Sequence, residues 1–239
     1  MQKLRLLLVD DHPIVSLGME TLLKEAGEFE WLGAAATPAD ALAQVERLQP
    51  DLIVLDLILG GGNGLNLISD ILKEAPQVCI VVYSGLEEKV YAHRCLEAGA
   101  MGYVVKEAGY LALLAALRSV AAGEPYASDF VKQSLLRKAI GRRACASLSG
   151  VESLSNQEVS VFHLLGSGLS SAEVAGRLGI GVKTVSAYRE RIKNKLGLQN
   201  ARELERGAEA FFREKLIESV KKKRSAPRES DSAECDCKE

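Results

Sequence analysis

DLIVLDLILGGGNG, Asp51 to Gly64, decides the fold of this chain. Its branched apolar run, Leu52–Leu55, delivers one carboxylate, Asp56, and a glycine-rich turn from Gly60 to Gly64 follows at once. A short, bounded run of this kind reads as a strand buried on both faces, as in a parallel sheet. Asp56 then stands at the strand's carboxyl end, the edge where open α/β sheets bind ligands. Alone, such an aspartate has two readings: a cap or turn residue, or a reactive or metal-binding group.

On the amino-terminal side, Leu4–Val9 reads as a first strand. Pro13 opens a helix with Ile14, Leu17, Leu22 and Leu23 as its apolar face. Residues 31–36 form a second strand, and Pro38 opens a helix carrying Ala39, Leu42, Val45 and Leu48. Beyond Asp56 come a helix at 65–75, an apolar strand at 78–83, a helix at 87–98, a strand at Gly102–Val105 and a helix at 111–122. Strands alternating with helices predict a doubly wound, five-stranded parallel sheet, flavodoxin-like in its class.

The strand ends share one edge. They are Asp10 and Asp11, Asp56, Ser84 and Lys106. At about 4 Å and an effective dielectric of about 20, two carboxylates repel by roughly 4 kcal/mol. Full ionisation of the cluster therefore calls for a cation, and all-oxygen donors suit Mg²⁺ or Mn²⁺. His12 reads as a surface residue at the helix entry. His93 and His163 fall in helical patterns with no partner visible in the sequence.

Composition fits this picture. The 239 residues, net charge of −2 and 47% hydrophobic content allow one or two soluble domains with real cores. No run approaches the roughly 18 apolar residues that span a bilayer. The start, MQKLRLLLVDD, reads as a strand rather than a signal peptide. The expectation is a cytoplasmic protein without a membrane partner. Five cysteines with no CxxC pair read as free thiols, and the CxC at Cys235 and Cys237 lacks further ligands. Residues 1–123 carry a net charge of −7 and residues 124–239 a net of +5. An acidic half before a basic half points to two domains with different partners, the second being nucleic acid.

Residues 124–150 read as a flexible, partly helical linker, with a helix at 129–140. Ser155-Asn156-Gln157-Glu158 and Ser170-Ser171-Ala172-Glu173 are two capping boxes, each followed by an apolar helix and a glycine turn. A third helix at 182–196 places Val185, Tyr188, Ile192 and Leu196 on one face and Lys183, Ser186, Ala187, Glu190 and Asn194 on the other. Arg191 and Lys193 flank it. This is an all-α helix-turn-helix pattern, here assigned to 151–212. Residues 213–239 are charged and read as a largely disordered tail.

The first half, residues 1–123, resembles the receiver domain of two-component response regulators. The likeness rests on Asp10-Asp11-His12-Pro13, Asp56, Ser84-Gly85, Ala98-Gly99-Ala100 and Gly102-Tyr103-Val104-Val105-Lys106. It implies that Asp56 accepts a phosphoryl group from a partner histidine kinase. It implies that Mg²⁺ is held by Asp11, Asp56 and the Ile58 backbone carbonyl, with Asp10 acting through water. Lys106 and Ser84 would bind phosphoryl oxygens, and Tyr103 would be the switch aromatic. Ile58 and Leu86 stand where the family borders the approach of hydrolytic water. Two residues depart from the family pattern. Gly60 stands where proline is frequent, which loosens that loop. Glu107 follows the lysine in place of proline, and a cis peptide is strongly disfavoured before a non-proline residue.

Residues 154–204 resemble the LuxR-type DNA-binding domain, on Leu154-Ser155, Glu158, Gly168-Leu169-Ser170, Glu173-Val174-Ala175, Leu178, Lys183-Thr184-Val185 and Lys195-Leu196-Gly197-Leu198. The two resemblances together imply a NarL/FixJ-type regulator that binds double-stranded DNA and dimerises when phosphorylated. The DNA contacts would come from Lys183, Thr184, Ser186, Ala187, Tyr188, Glu190, Arg191 and Lys193. A serine at 186 and an acid at 190 are unusual on such a face. Three other readings compete. A metal-dependent phosphatase lacks a visible substrate domain. A flavin protein would need a phosphate loop where Asp10-Asp11-His12-Pro13 stands. A regulator that binds DNA without phosphorylation has the same sequence features.

Overall fold

A computed structural model of the chain describes residues 3–59, 62–129, 131–133 and 150–212. β1 (Leu4–Val9), β2 (Phe29–Ala35), β3 (Leu52–Leu55), β6 (Cys79–Ser84) and β7 (Gly102–Val105) form one parallel sheet in the order β2-β1-β3-β6-β7. Between them lie α1 (Pro13–Ala26), α2 (Pro38–Leu48), α3 (Gly64–Glu74) and α4 (Glu88–Glu97), and α5 (Tyr110–Ala121) follows β7. The register aligns the carboxyl ends: Val9 pairs with Leu55, Leu55 with Val82 and Ser84 with Val105.

Side-chain alternation sorts the sheet into two cores. Leu7, Val9, Ile53, Leu55, Ile80 and Val82 pack toward α2, α3 and α4. Leu6, Leu8, Leu52, Val54 and Val81 pack toward α1 and α5. Burial on both faces explains why these strands read as continuous apolar runs. Gly64 seats α3 against the end of β3: a Cβ there would fall 2.6 Å from Leu57 Cα, so only glycine fits.

Several expectations need correction. β2 begins at Phe29, because Leu4 pairs with Phe29 and Trp31 lies inside the ladder. The other strand and helix ends move by a residue or so, as terminal residues commonly do. On α1 the core residues are Met19 and Leu23, whereas Ile14 is 74% and Leu17 63% exposed. The first turns of α1 lie beside the carboxyl edge of the sheet, where there is little sheet left to cover. The glycine-rich turn carries a small antiparallel hairpin, with Ile58–Leu59 (β4) paired to Gly62–Asn63 (β5). No cis peptide occurs among the described residues, and Lys106–Ala108 form a single 3₁₀ turn.

The second unit is helical. α6 (Asn156–Gly166) and α7 (Ser171–Leu178) start at capping boxes on Ser155 and Ser170, and both boxes are complete. Gly179, in the left-handed region at φ 64°, ends α7, and α8 (Val182–Leu196) follows. Residues 201–212 are helical and are called α9. Val159, Val161, Phe162, Val174, Val185, Ile192, Leu204 and Ala208 form its core. Glu158 is buried inside this unit. Burial pushes its carboxyl up, but hydrogen bonds from Lys195 (2.6 Å) and from Ser155 outweigh that and hold it below the ordinary value.

Asp129 and residues 131–133 are helical. The rest of the expected linker helix, the charged tail, and Cys145, Cys235 and Cys237 lie outside the described residues. Cys79 and Cys95 are free thiols.

Candidate functional site

The carboxyl edge of the sheet brings four of the expected groups together. Asp10 (4% exposed) and Asp56 (3% exposed) follow β1 and β3, and Ser84 ends β6. Lys106, just past β7, places its Nζ 2.7 Å from Asp10 Oδ2 and 2.7 Å from Asp56 Oδ2. The Ser84 hydroxyl donates to Asp56 Oδ1 at 2.7 Å. The ammonium offsets part of the charge of this cluster. Burial tends to lower the Lys106 pKa, but its hydrogen bonds to the two carboxylates win and raise it. Ile58 follows in β4, and its N–H donates to Asp56 Oδ1 at 3.2 Å.

His12 Nδ1 lies 2.8 Å from Asp10 Oδ1 and 3.0 Å from Asp11 Oδ1. Its hydrogen bond goes to Asp10, which leaves Asp11 Oδ1 as a buried oxygen without one. Ligand atoms of Asp10, His12 and Asp56 lie within 4.8 Å of one another. An orphaned carboxylate oxygen beside two buried carboxylates is a donor set that suits a hard divalent cation. Histidine 12 is thus more engaged than a plain surface residue. His93 also has a partner, Glu97, at 3.0 Å.

Tyr103 is buried, and its hydroxyl donates to the Leu86 carbonyl at 2.8 Å. Burial pushes its pKa well up, so it stays a neutral donor. Leu86 in turn directs its N–H to Ser84 Oγ at 3.4 Å. A chain of contacts therefore runs from Asp56 through Ser84 and Leu86 to Tyr103.

On α8, Lys183, Thr184, Ser186, Ala187, Glu190, Arg191 and Asn194 are exposed, while Val185 and Ile192 are buried. Tyr188 and Lys193 are partly covered. Glu190 pairs with Lys193 at 2.9 Å, and the Arg191 guanidinium lies 5.7 Å from the Tyr188 ring centre. The amphipathic split read from the sequence places the eight expected contact residues on this one helix, and six of them are exposed.

Residues 6–118 match the response regulator receiver domain, and residues 152–208 match the bacterial regulatory proteins of the luxR family. The DNA-binding transcriptional activator DevR/DosR of Mycobacterium tuberculosis is 34% identical over 196 residues, covering 82% of this chain and 89% of that protein. The chain belongs to the two-component response regulators. Response regulator GacA of Pseudomonas aeruginosa is 30% identical over 201 residues, covering 84% of this chain and 93% of the relative. Among solved structures, a LuxR-family two-component response regulator from Aurantimonas sp. SI85-9A1 is 28% identical, with TM-score 0.53, covering 58% of this chain and 99% of that one. The RcsB response regulator of Salmonella typhimurium shares the fold, with TM-score 0.66 at 24% identity over 88% of this chain and 98% of that one. This regulator therefore joins a receiver to a LuxR-type DNA-binding domain and acts in transcription.

One set of contacts in the regulator had no signal in the sequence. Asn63 Nδ2 donates to Ser160 Oγ at 2.9 Å, across the two units. Arg94 donates to Asn156 Oδ1 at 3.1 Å and to the Val151 carbonyl at 3.3 Å. The Tyr91 and His163 rings meet edge-on at 6.4 Å, and His163 also meets Phe212 at 4.6 Å. Each pair is far apart in sequence, and neither the capping box that holds Asn156 nor the turn that holds Asn63 signals its partner.

Proposed function

We propose that Asp56 is the phosphoacceptor and that its phosphorylation by a partner histidine kinase switches DNA binding. The observation that carries this is that Lys106 bridges Asp10 and Asp56 while the Ser84 hydroxyl donates to Asp56, each at hydrogen-bond distance. In the transfer, a carboxylate oxygen of Asp56 attacks phosphorus, the phosphorus–nitrogen bond to the donor histidine breaks, and the imidazole leaves. Lys106 and the Ser84 hydroxyl take up phosphoryl oxygens, exchanging their present bonds to Asp56 for bonds to the new group. Asp11, Asp56 and the Ile58 carbonyl would hold Mg²⁺ or Mn²⁺, with Asp10 behind. When bound, the ion supplies positive charge that offsets the charge on the transferring group. Tyr103 reads the state of Ser84 through Leu86.

The exposed face of α8 supports double-stranded DNA as the second partner, as does the likeness to a DNA-binding transcriptional activator. Helix-turn-helix proteins read paired half-sites as dimers, so we expect a homodimer on DNA. The units are proposed as receiver 1–123, linker 124–150, DNA-binding domain 151–212 and tail 213–239. No helix among the described residues is long and apolar enough to cross a membrane, and we place the regulator in the cytoplasm. A second reading, DNA binding independent of phosphorylation, draws on one observation: α8 is already exposed in the unphosphorylated chain.

A small phosphodonor with Mg²⁺ should label Asp56 alone, as read by mass spectrometry. Equal labelling of Asp56→Ala would remove the assignment.

A further inference from the structure

We propose that the DNA-binding domain docks by α6 beside Asp56 and forms part of the wall of the phosphorylation site, leaving its reading helix open. The proposal rests on the phosphoacceptor reading above and names how that site is controlled. A cavity of about 20 Å³ lies between the units. Ile58, Asn63 and Leu86 line it from the receiver, and Ser160, His163 and Leu164 from α6. The two apolar receiver residues are each one hydrogen bond from the reacting constellation. Ile58 N–H bonds Asp56, and Leu86 N–H bonds Ser84.

Polar pins hold the dock at both ends. Asn63 is fixed on the receiver, since its Oδ1 caps α3 by accepting from Leu65 N–H at 2.9 Å, while its amide reaches Ser160. Arg94 on α4 holds Asn156, the first residue of α6, and the Val151 carbonyl. Meanwhile Lys183, Ser186, Ala187 and Glu190 on α8 stay exposed. The dock therefore does not cover the bases' reader. It fixes where that reader points and what reaches Asp56. A wall at Asp56 hinders the phosphodonor and the hydrolytic water alike, so whatever loosens the dock should speed both labelling and loss of the label.

Two substitutions away from the reacting groups push the dock in opposite directions. Arg94→Ala removes the pin. Asn156→Asp turns a neutral acceptor into a charged one for Arg94, and an acid at the first turn of α6 also favours that helix. Full-length wild type and both variants would be treated with acetyl phosphate and Mg²⁺, and the rates of labelling and of label loss followed at Asp56. Small-angle scattering would give the radius of gyration of each. Arg94→Ala should raise both rates about tenfold, the worth of a charged hydrogen bond, and enlarge the molecule. Asn156→Asp should lower both rates and keep it small. Unchanged scattering across the three proteins overturns the dock whatever the labelling shows. A changed radius with equal rates overturns the wall. Failure to label Asp56 in wild type overturns the phosphoacceptor reading instead.

Discussion

A parallel sheet has only one carboxyl edge, so the residues that end its strands share one place. Once Leu52–Leu55 is a buried strand, Asp10, Asp56, Ser84 and Lys106 must meet, and their contacts of 2.7 Å bear this out. That His12 and Lys106 both bond Asp10 and leave Asp11 Oδ1 without a hydrogen bond was not legible, being a matter of local rotamers rather than of pattern. Ile58 and Leu86 flank Asp56 and offer no group to orient water, so the phosphoryl group should be long-lived. Ile58→Asn with Leu86→Glu should shorten its half-life at least about tenfold, within reach of general-base assistance. A wild-type half-life of seconds, unchanged in the double variant, would contradict this.

At the scale of elements, the capping boxes on Ser155 and Ser170 located α6 and α7 because they are local chemistry. The β4–β5 hairpin escaped because two-residue strands leave no periodicity to read. The face of α1 was misassigned because Ile14 and Leu17 keep helical spacing while the sheet beneath them has ended. The α8 face was legible from its alternation of apolar and polar residues, and it carries its own prediction. Glu accepts a hydrogen bond from the cytosine amino group, and Ala packs on a thymine methyl. Glu190→Ala should relax base preference at one position per half-site in selections on randomised DNA. It also frees Lys193 from its ion pair, so total affinity should not fall. Lys183→Ala should weaken all sequences alike and flatten the salt dependence, as loss of a phosphate contact does. An unchanged preferred sequence in Glu190→Ala would make that acid a surface residue only.

At the scale of the whole molecule, the joint between the units carries a cost. Tyr91 Oη and His163 Nδ1 are buried there without hydrogen bonds, and each such group costs about 1–3 kcal/mol. Burial holds His163 down to about 4 from an ordinary 6.5. The closed arrangement therefore favours the neutral ring, while opening uncovers the side of the ring that faces Tyr91 and lets it take up a proton at higher pH. Closure should weaken as pH falls within the window from 6.5 to 4, by at most about tenfold at pH 5.5. The radius of gyration should rise between pH 7.5 and 5.5 in wild type and stay flat in His163→Gln. An equal rise in both would assign the effect to other groups. Because α8 is exposed while the domains are docked, phosphorylation should act on how two reading helices are paired.

The most direct test is therefore DNA affinity at fixed salt, measured with and without phosphorylation, on duplexes carrying one half-site or two. The account predicts that phosphorylation tightens binding to paired half-sites at least about tenfold and leaves the single half-site nearly unchanged, and that the phosphodonor has no effect on either duplex with Asp56→Ala. Equal affinity of the phosphorylated and unphosphorylated wild type for paired half-sites would contradict it.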